Sequence, residues 1–562
     1  MTDFAPSDSG RPSSIPLIGV TGGLQHAAAA TAVGFVAAIG LRVGTILRYR
    51  IDSDETQHLH VVWSWANGLV QYRDVFDNHM PLLQILMAPL MRMAGERPET
   101  LLLARVVMLP LFVAMALLTY RIAISCYPPR TALWATILGC LAPAFFLCSV
   151  EFRTDVLWAT FWLATIAILV GSPLTSRRAA AGGLMLGLAA AVSAKTVLLG
   201  VSLGIGAVVA LVVTRERAVP AGAIMKRAMA FIAAAVVPPS LIAAYFAALG
   251  AWKPFLNCTV THNLVVSEHP QRIFLLPLFI LIIVLGTLLT MRDETSRGVR
   301  KRRVFLFVTA YTYCAALVCL WPIIETEHWL PFYPVAAVAT VPLLLPKESG
   351  RKRRLAFAIV ALELLWIIRA STPWRNEVLP SMVLIQQALK LTTPGEKVID
   401  LKGEMVFRRR AFYYVLERMT KKKIMKGQLS DTIEADILRT RAMVAVRDNE
   451  SFPRSGRAFL QRNFVRVGCL RVAGMIVPES HTFRIEIPAE YGVVSEHGDF
   501  HGILDGSLYR GPRFLGKGVH TLIAFASSDQ SAVIWQRAAA LGFSPFIADR
   551  RCPVRDPETL TY

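Results

Sequence analysis

The chain has 562 residues, 54% of them hydrophobic and 18% charged, with a mean hydropathy of +0.47. That balance excludes a soluble protein of this length and points to a polytopic membrane protein. The net charge of +21 falls largely in short loops between apolar runs, where it orients the chain and meets anionic lipid headgroups; no nucleic-acid partner is implied.

Residues 1–26 are polar and rich in Ser, Pro and Gly, and read as a cytoplasmic tail before a signal anchor. A helix needs roughly 20 mainly apolar residues to cross about 30 Å of hydrocarbon. By that measure spans are expected near 27–47, 100–122, 131–149, 156–171, 179–194, 196–213, 228–250, 273–291, 304–321, 330–346 and 355–369. The apolar stretch from Met80 to Met93 is too short to cross and carries Pro81 and Pro89, which suits an interfacial or re-entrant helix.

The loops alternate in character. Those holding Arg121 and Arg130, Arg177 and Arg178, Arg215 to Arg227, Arg292 to Arg303 and Lys347 to Arg354 are basic and by the positive-inside rule cytoplasmic. The others, and everything after Arg369, then lie outside.

In the first outer loop, Asp54 and Glu55 stand side by side. A carboxylate near low-dielectric lipid can take a proton from an attacking hydroxyl or amine, so both are candidates for a general base. The alternative for Asp54 is an N-cap of the helix that follows. Leu59, Val62, Trp63, Ala66 and Leu69 recur at helical spacing, as for an amphipathic helix on the membrane surface that breaks at Gly68. Asp74, Asp77 and His79, past its end, can fold back towards Asp54.

The second outer loop carries Glu151, Arg153 and Asp155. Arg153 offers a planar fork of donors for a phosphate oxygen, Asp155 can orient it, and a plain turn salt bridge is the other reading. Lys195 lies between two apolar runs on the same side, where it snorkels or meets an anionic headgroup. Glu325, Glu327, His328, Trp329 and Tyr333 bunch before a late span. The aromatics suit an interfacial belt, and the acids and histidine suit a site. Arg42 and Glu363 are charges at membrane depth that either pair across the bundle or leave Arg42 to snorkel.

The eight cysteines show no CxxC or Cys/His ligand spacing, and no HExxH or comparable pattern appears. No cofactor is firmly implied; a divalent metal stays open. Cys258, Cys469 and Cys552 fall outside, where two of them can pair. Residues 371–480 alternate helices and strands as in a small α/β module. Residues 481–562 show short strands and Asp-Gly turns, as in a β-sandwich. The expected fold is an all-α polytopic bundle of about 11 transmembrane helices over 27–370, followed by an extracytoplasmic α/β plus β-sandwich region.

Four segments carry a family likeness: Asp54-Glu55 after the first span, Tyr72-Arg-Asp-x-Phe-x-Asn-His-x-Pro-Leu82, Arg153-Thr-Asp155, and His328-Trp-Leu-Pro-x-Tyr-Pro334. In this order and on one membrane face, they resemble the GT-C glycosyltransferases. Within these the chain resembles the bacterial branch near protein O-mannosyltransferases, lipid A aminoarabinose transferases and RgtA/B/C/D-like galacturonosyl transferases. The resemblance implies a plasma-membrane enzyme that moves a sugar, with inversion, from a polyprenyl-phosphate carrier to an extracytoplasmic acceptor: lipopolysaccharide, polysaccharide or protein. Asp54 matches the family's catalytic carboxylate, with Glu55 beside it, and His328 to Tyr333 match a segment near the carrier phosphate. His79 stands where aminoarabinose transferases tend to have lysine. The rival reading is a transporter or flippase of lipid-linked saccharides, which calls for internal repeats and broken mid-membrane helices; no repeat is evident.

Overall fold

The computed structural model describes residues 38–171, 174–214, 220–264, 269–292, 295–344, 350–448, 450–478, 481–525 and 530–552. The tail 1–26 and the first half of the first expected span lie outside them.

Among the described residues, five helices are long and apolar enough to cross a membrane: Thr100–Ile124, Thr196–Val213, Ala221–Ala248, Pro270–Met291 and Arg297–Leu320. Arg297–Leu320 is central, with 61% of its apolar window buried, whereas Ala221–Ala248 and Pro270–Met291 bury 17% and turn apolar side chains outward. Shorter helices, including Thr154–Val170, Ser176–Val192 and Phe332–Leu344, fill the other expected positions.

The span expected over 131–149 is two helices, Pro129–Leu141 and Pro143–Cys148. Pro143 has no N–H to continue the ladder and forces Ala142 into an extended ψ of 119°. Carbonyls at the end of the second piece need donors. Arg42 supplies them, donating to Phe146 O at 2.7 Å and Ser149 O at 2.6 Å with its guanidinium over the Phe112 ring. Arg42 therefore neither snorkels nor pairs with Glu363; it caps a broken helix.

The first loop also departs from expectation. Its helix, Ser53–Ala66, ends before the left-handed Gly68 as foreseen, but Glu55 to Ser64 are all buried. It packs under the C-terminal region, which covers the polar face expected to meet water. His60 Nδ1 donates to Val406 O at 2.6 Å, and Ile385, Val406 and Phe407 join the core of the bundle. The short helix Leu82–Ala94, with Pro89 inside it, follows.

The C-terminal region forms a six-stranded sheet, a four-stranded one and a parallel two-stranded pair, Lys397–Val398 with Arg409–Arg410. The largest runs Arg513–Leu515, Ala489–Ser495, Ser531–Trp535, Leu470–Ile476, Val444–Val446, with Phe464–Val467 also paired to Leu470–Ile476. Strands from either side of residue 480 thus share one sheet and one core. The reason is Ser531–Trp535: all its residues are buried, so it is paired along both edges, to Ala489–Ser495 and to Leu470–Ile476. A disulfide joins Cys469 to Cys552, the pairing that the sequence left open, and Cys258 is a free buried thiol.

Candidate active site

Where the C-terminal region meets the bundle lies a cavity of about 1750 Å³. Its charged lining includes Asp52, Asp54, Glu151, Arg153, Lys195, Glu327, Lys402 and Glu417. Apolar Leu147, Ile323, Ile324 and Trp366 complete one wall.

The start of Ser53–Ala66 explains how one carboxylate is presented and its neighbour withdrawn. Asp52, not Asp54, is the N-cap: its carboxylate accepts from Asp54 N at 3.0 Å, and Glu55 Oε1 reaches back to Asp52 N at 2.9 Å. This capping box was readable as Asp-x-x-Glu before an apolar run. Successive residues project about 100° apart on a helix, and Glu55 points away from the cavity. It accepts from Arg105 at 2.6 and 2.8 Å and from Phe152 N at 2.9 Å. With both oxygens engaged and 2% exposure, Glu55 cannot meet a substrate. The expected catalytic role of Glu55 is therefore replaced by a structural one, holding Arg105 and Phe152 N.

Arg105, unremarked in the sequence, is fully buried in Thr100–Ile124 and also donates to Tyr49 O at 2.7 Å and Arg50 O at 2.5 Å. It thereby ties the end of the helix over 38–48 to Glu55. An arginine inside an apolar span signals such a partner.

Asp54 faces the cavity between two cations. Arg153 Nη2 donates to its Oδ2 at 2.7 Å and Lys402 Nζ to its Oδ1 at 2.7 Å. Burial alone raises its pKa, but these charges outweigh that and hold the carboxyl well below the usual range. Arg153 also donates to Asp52 at 2.8 Å and Glu327 at 2.5 Å, and lies 3.8 Å from Glu151 and 3.7 Å from Asp155. Burial and the neighbouring Asp52 charge push Glu151 well above its ordinary pKa.

The other expected residues divide. Lys195 lines the cavity, 2.6 Å from Asp155, which sits behind it, outside the lining, and positions it. His328 lines the cavity with its Nδ1 accepting from Glu325 N at 3.2 Å. His79 lines it too, 2.8 Å from Asp77. Tyr333 does not: at the start of Phe332–Leu344 its backbone lies near Gly139, and the half-buried side chain packs against the bundle core.

Like Asp52 and Glu417, Lys402 is a cavity residue that sequence reasoning missed. Its loop is built to hold it. Asp400 accepts from Gly403 N and Met405 N at 3.1 and 3.2 Å, and Glu404 accepts from Leu401 N and Lys402 N at 3.0 and 2.9 Å. Gly403 has φ +106°, and a Cβ there would lie 2.8 Å from His60 Cβ. Only glycine allows so close an approach at that angle.

No family model matches the chain, and no curated protein matches it. Solved structures do. ArnT from Cupriavidus metallidurans in the apo state aligns at a TM-score of 0.52 and 13% identity, covering 80% of this chain and 98% of that one. The same protein bound to undecaprenyl phosphate aligns at 0.52 and 12% identity, over 80% and 96%. The Archaeoglobus fulgidus oligosaccharyltransferase in complex with Zn and sulfate aligns at 0.40 and 11%, over 76% and 71%. The chain thus shares the overall fold of the ArnT structures.

Proposed function

We propose that this protein is an integral-membrane glycosyltransferase that takes a sugar from a polyprenyl-phosphate carrier and passes it, with inversion, to an acceptor outside the cytoplasm. One observation carries the reading: Asp54 is an ionised carboxylate on a large cavity that Arg153 and Lys195 also line. The bound undecaprenyl phosphate of the ArnT structure supports a lipid-linked donor. The bundle over 27–370 would cross the membrane about 11 times, with the N-terminus inside and the C-terminal region outside.

The chemistry asks for two things. A polyprenyl phosphate leaves readily once its growing negative charge is neutralised, and Lys195, held by Asp155, supplies a cation for it. The acceptor must lose a proton as it attacks, and Asp54 takes it. Held between Arg153 and Lys402, Asp54 is a weak base. An acceptor that displaces Lys402 removes one of the two charges and raises its basicity. Inversion in one step needs no covalent nucleophile.

The test is transfer of label from a polyprenyl-phosphate sugar in membranes holding the parent or Asp54→Asn. The parent should move label and the variant should lose at least about 100-fold. Equal transfer by both refutes the role of Asp54. Uptake of intact labelled lipid without transfer supports a flippase instead.

A further inference from the structure

We propose that His58, Asp77 and His79 form a binding site for a single zinc-class metal ion in the wall of the cavity. The three come from two segments that the fold brings together: His58 from the buried helix Ser53–Ala66, and Asp77 and His79 from the stretch before Leu82–Ala94. Each offers one ligand atom, and these atoms lie within 4.8 Å of one another. The two imidazole rings meet edge to face with centroids 4.5 Å apart.

Two observations separate this cluster from an ordinary polar network. His58 is 0% exposed, yet its Nε2 has no hydrogen-bond partner among the described residues. A buried polar atom left unpaired is costly and uncommon. Its Nδ1 lies 3.4 Å from the side-chain amide of Gln84. Turning that amide lets its nitrogen donate to Pro81 O and Met80 O instead. His58 Nε2, buried and without a hydrogen-bond partner, is thus a nitrogen available to a metal.

The second observation is support around the ligands. Asp77 is 0% exposed and accepts from Gln71 at 2.8 Å and Gln57 at 3.3 Å, bonds of the kind that orient a ligating carboxylate. An entering ion exchanges the 2.8 Å bond between His79 Nδ1 and Asp77 Oδ1 for coordination by both residues. Zinc bonds of about 2.0 Å bring tetrahedral ligand atoms to roughly 3.3 Å apart, so the set closes by at most about 1.5 Å.

The donor set names the class of ion. Two imidazole nitrogens and one carboxylate oxygen suit zinc, whereas magnesium and calcium take oxygen ligands. Three protein ligands leave a fourth position, and His79, 24% exposed, is the member that borders the cavity. The site concerns metal binding alone and does not rest on the transfer reaction.

The experiment uses the full-length protein in detergent, stripped with a chelator and titrated with Zn2+ alone, then with Co2+ as a spectroscopic stand-in. The parent should bind one equivalent and give the intense visible bands of four-coordinate Co2+. His58→Gln and Asp77→Asn, judged folded by monodisperse elution and an unfolding transition, should each weaken binding at least about 10-fold. Binding that survives both substitutions, or that is lost instead on His262→Gln at the neighbouring pair with Glu417, overturns the assignment. So does a parent that binds no zinc. If His58→Gln fails to fold, His79→Gln at the accessible edge carries the same comparison.

Discussion

Lys402 Nζ and Asp54 Oδ1 are 2.7 Å apart although 348 positions separate them in the chain. This bond joins the C-terminal region to the proposed catalytic carboxylate, and its removal has a signed consequence. Burial tends to lower the Lys402 pKa, but Asp54 more than offsets that and raises it, so the lysine is charged throughout the working range. Asp54 in turn is held well below the usual range by Arg153 and Lys402. Activity of the parent should therefore show no acid limb from Asp54 above about pH 4, the ordinary carboxyl range. Lys402→Met removes one stabilising cation, so the Asp54 pKa rises and an acid limb moves upward in the profile of kcat/KM. A variant with the parent's acid limb would dissociate Lys402 from the state of Asp54.

Gly403→Ala should disturb the same contact without touching either charge. The substitution meets His60 at 2.8 Å and holds a side chain at φ +106°. Strain at such a position costs of order 1–3 kcal/mol. The loop should relieve it by lifting, which carries Lys402 away from Asp54. The expected result is a lower unfolding temperature together with the upward-shifted acid limb of Lys402→Met. A destabilised protein with the parent's pH profile would show that the loop stays seated.

How much of this could be read from the chain follows from range. Apolar runs mark the helices because burial in lipid acts on some twenty residues at a time, and Arg153, Lys195 and His328 stood out as polar groups at the ends of those runs. The division of labour between Asp54 and Glu55 was legible in principle from the helical turn between them and from the Asp52 cap. Lys402 was not. Its local sequence, Asp-Leu-Lys-Gly-Glu, describes a turn, and only docking of the C-terminal region onto Ser53–Ala66 gives that turn a target. The sheet that unites both sides of residue 480 was hidden for the same reason, since strand order is a long-range property.

Arg105 and Glu55 form a buried pair, so their variants should act on stability first. Removing one partner leaves an uncompensated charge and costs about 3–5 kcal/mol. Arg105→Met should therefore sharply lower the yield of folded protein and its unfolding temperature. Replacing both, as Arg105→Met with Glu55→Met, should recover part of the loss because no lone charge is left buried. A double variant as unstable as the sum of the singles would mean that the backbone bonds of Arg105 to Tyr49 and Arg50 dominate.

Asp400 predicts how stability varies with pH. Burial, then repulsion from Glu404, pushes its carboxyl up to about 7, and Arg410 at 4.0 Å offsets this only in part. An unfolded chain releases that proton near pH 3.9, so between about pH 4 and pH 7 the folded state holds the extra proton. Stability from this group is then full below about pH 4, falls by up to about 1.4 kcal/mol per pH unit across the window, and is flat above it. Asp400→Asn cannot titrate and should flatten the dependence, whatever it does to absolute stability. Unfolding temperatures of both proteins at pH 5 and pH 8 decide the matter: the parent should lose more than the variant on going to pH 8. Equal losses would mean that the Asp400 carboxyl is ionised throughout, with its charge balanced by Arg410 and the backbone N–H groups of Gly403 and Met405.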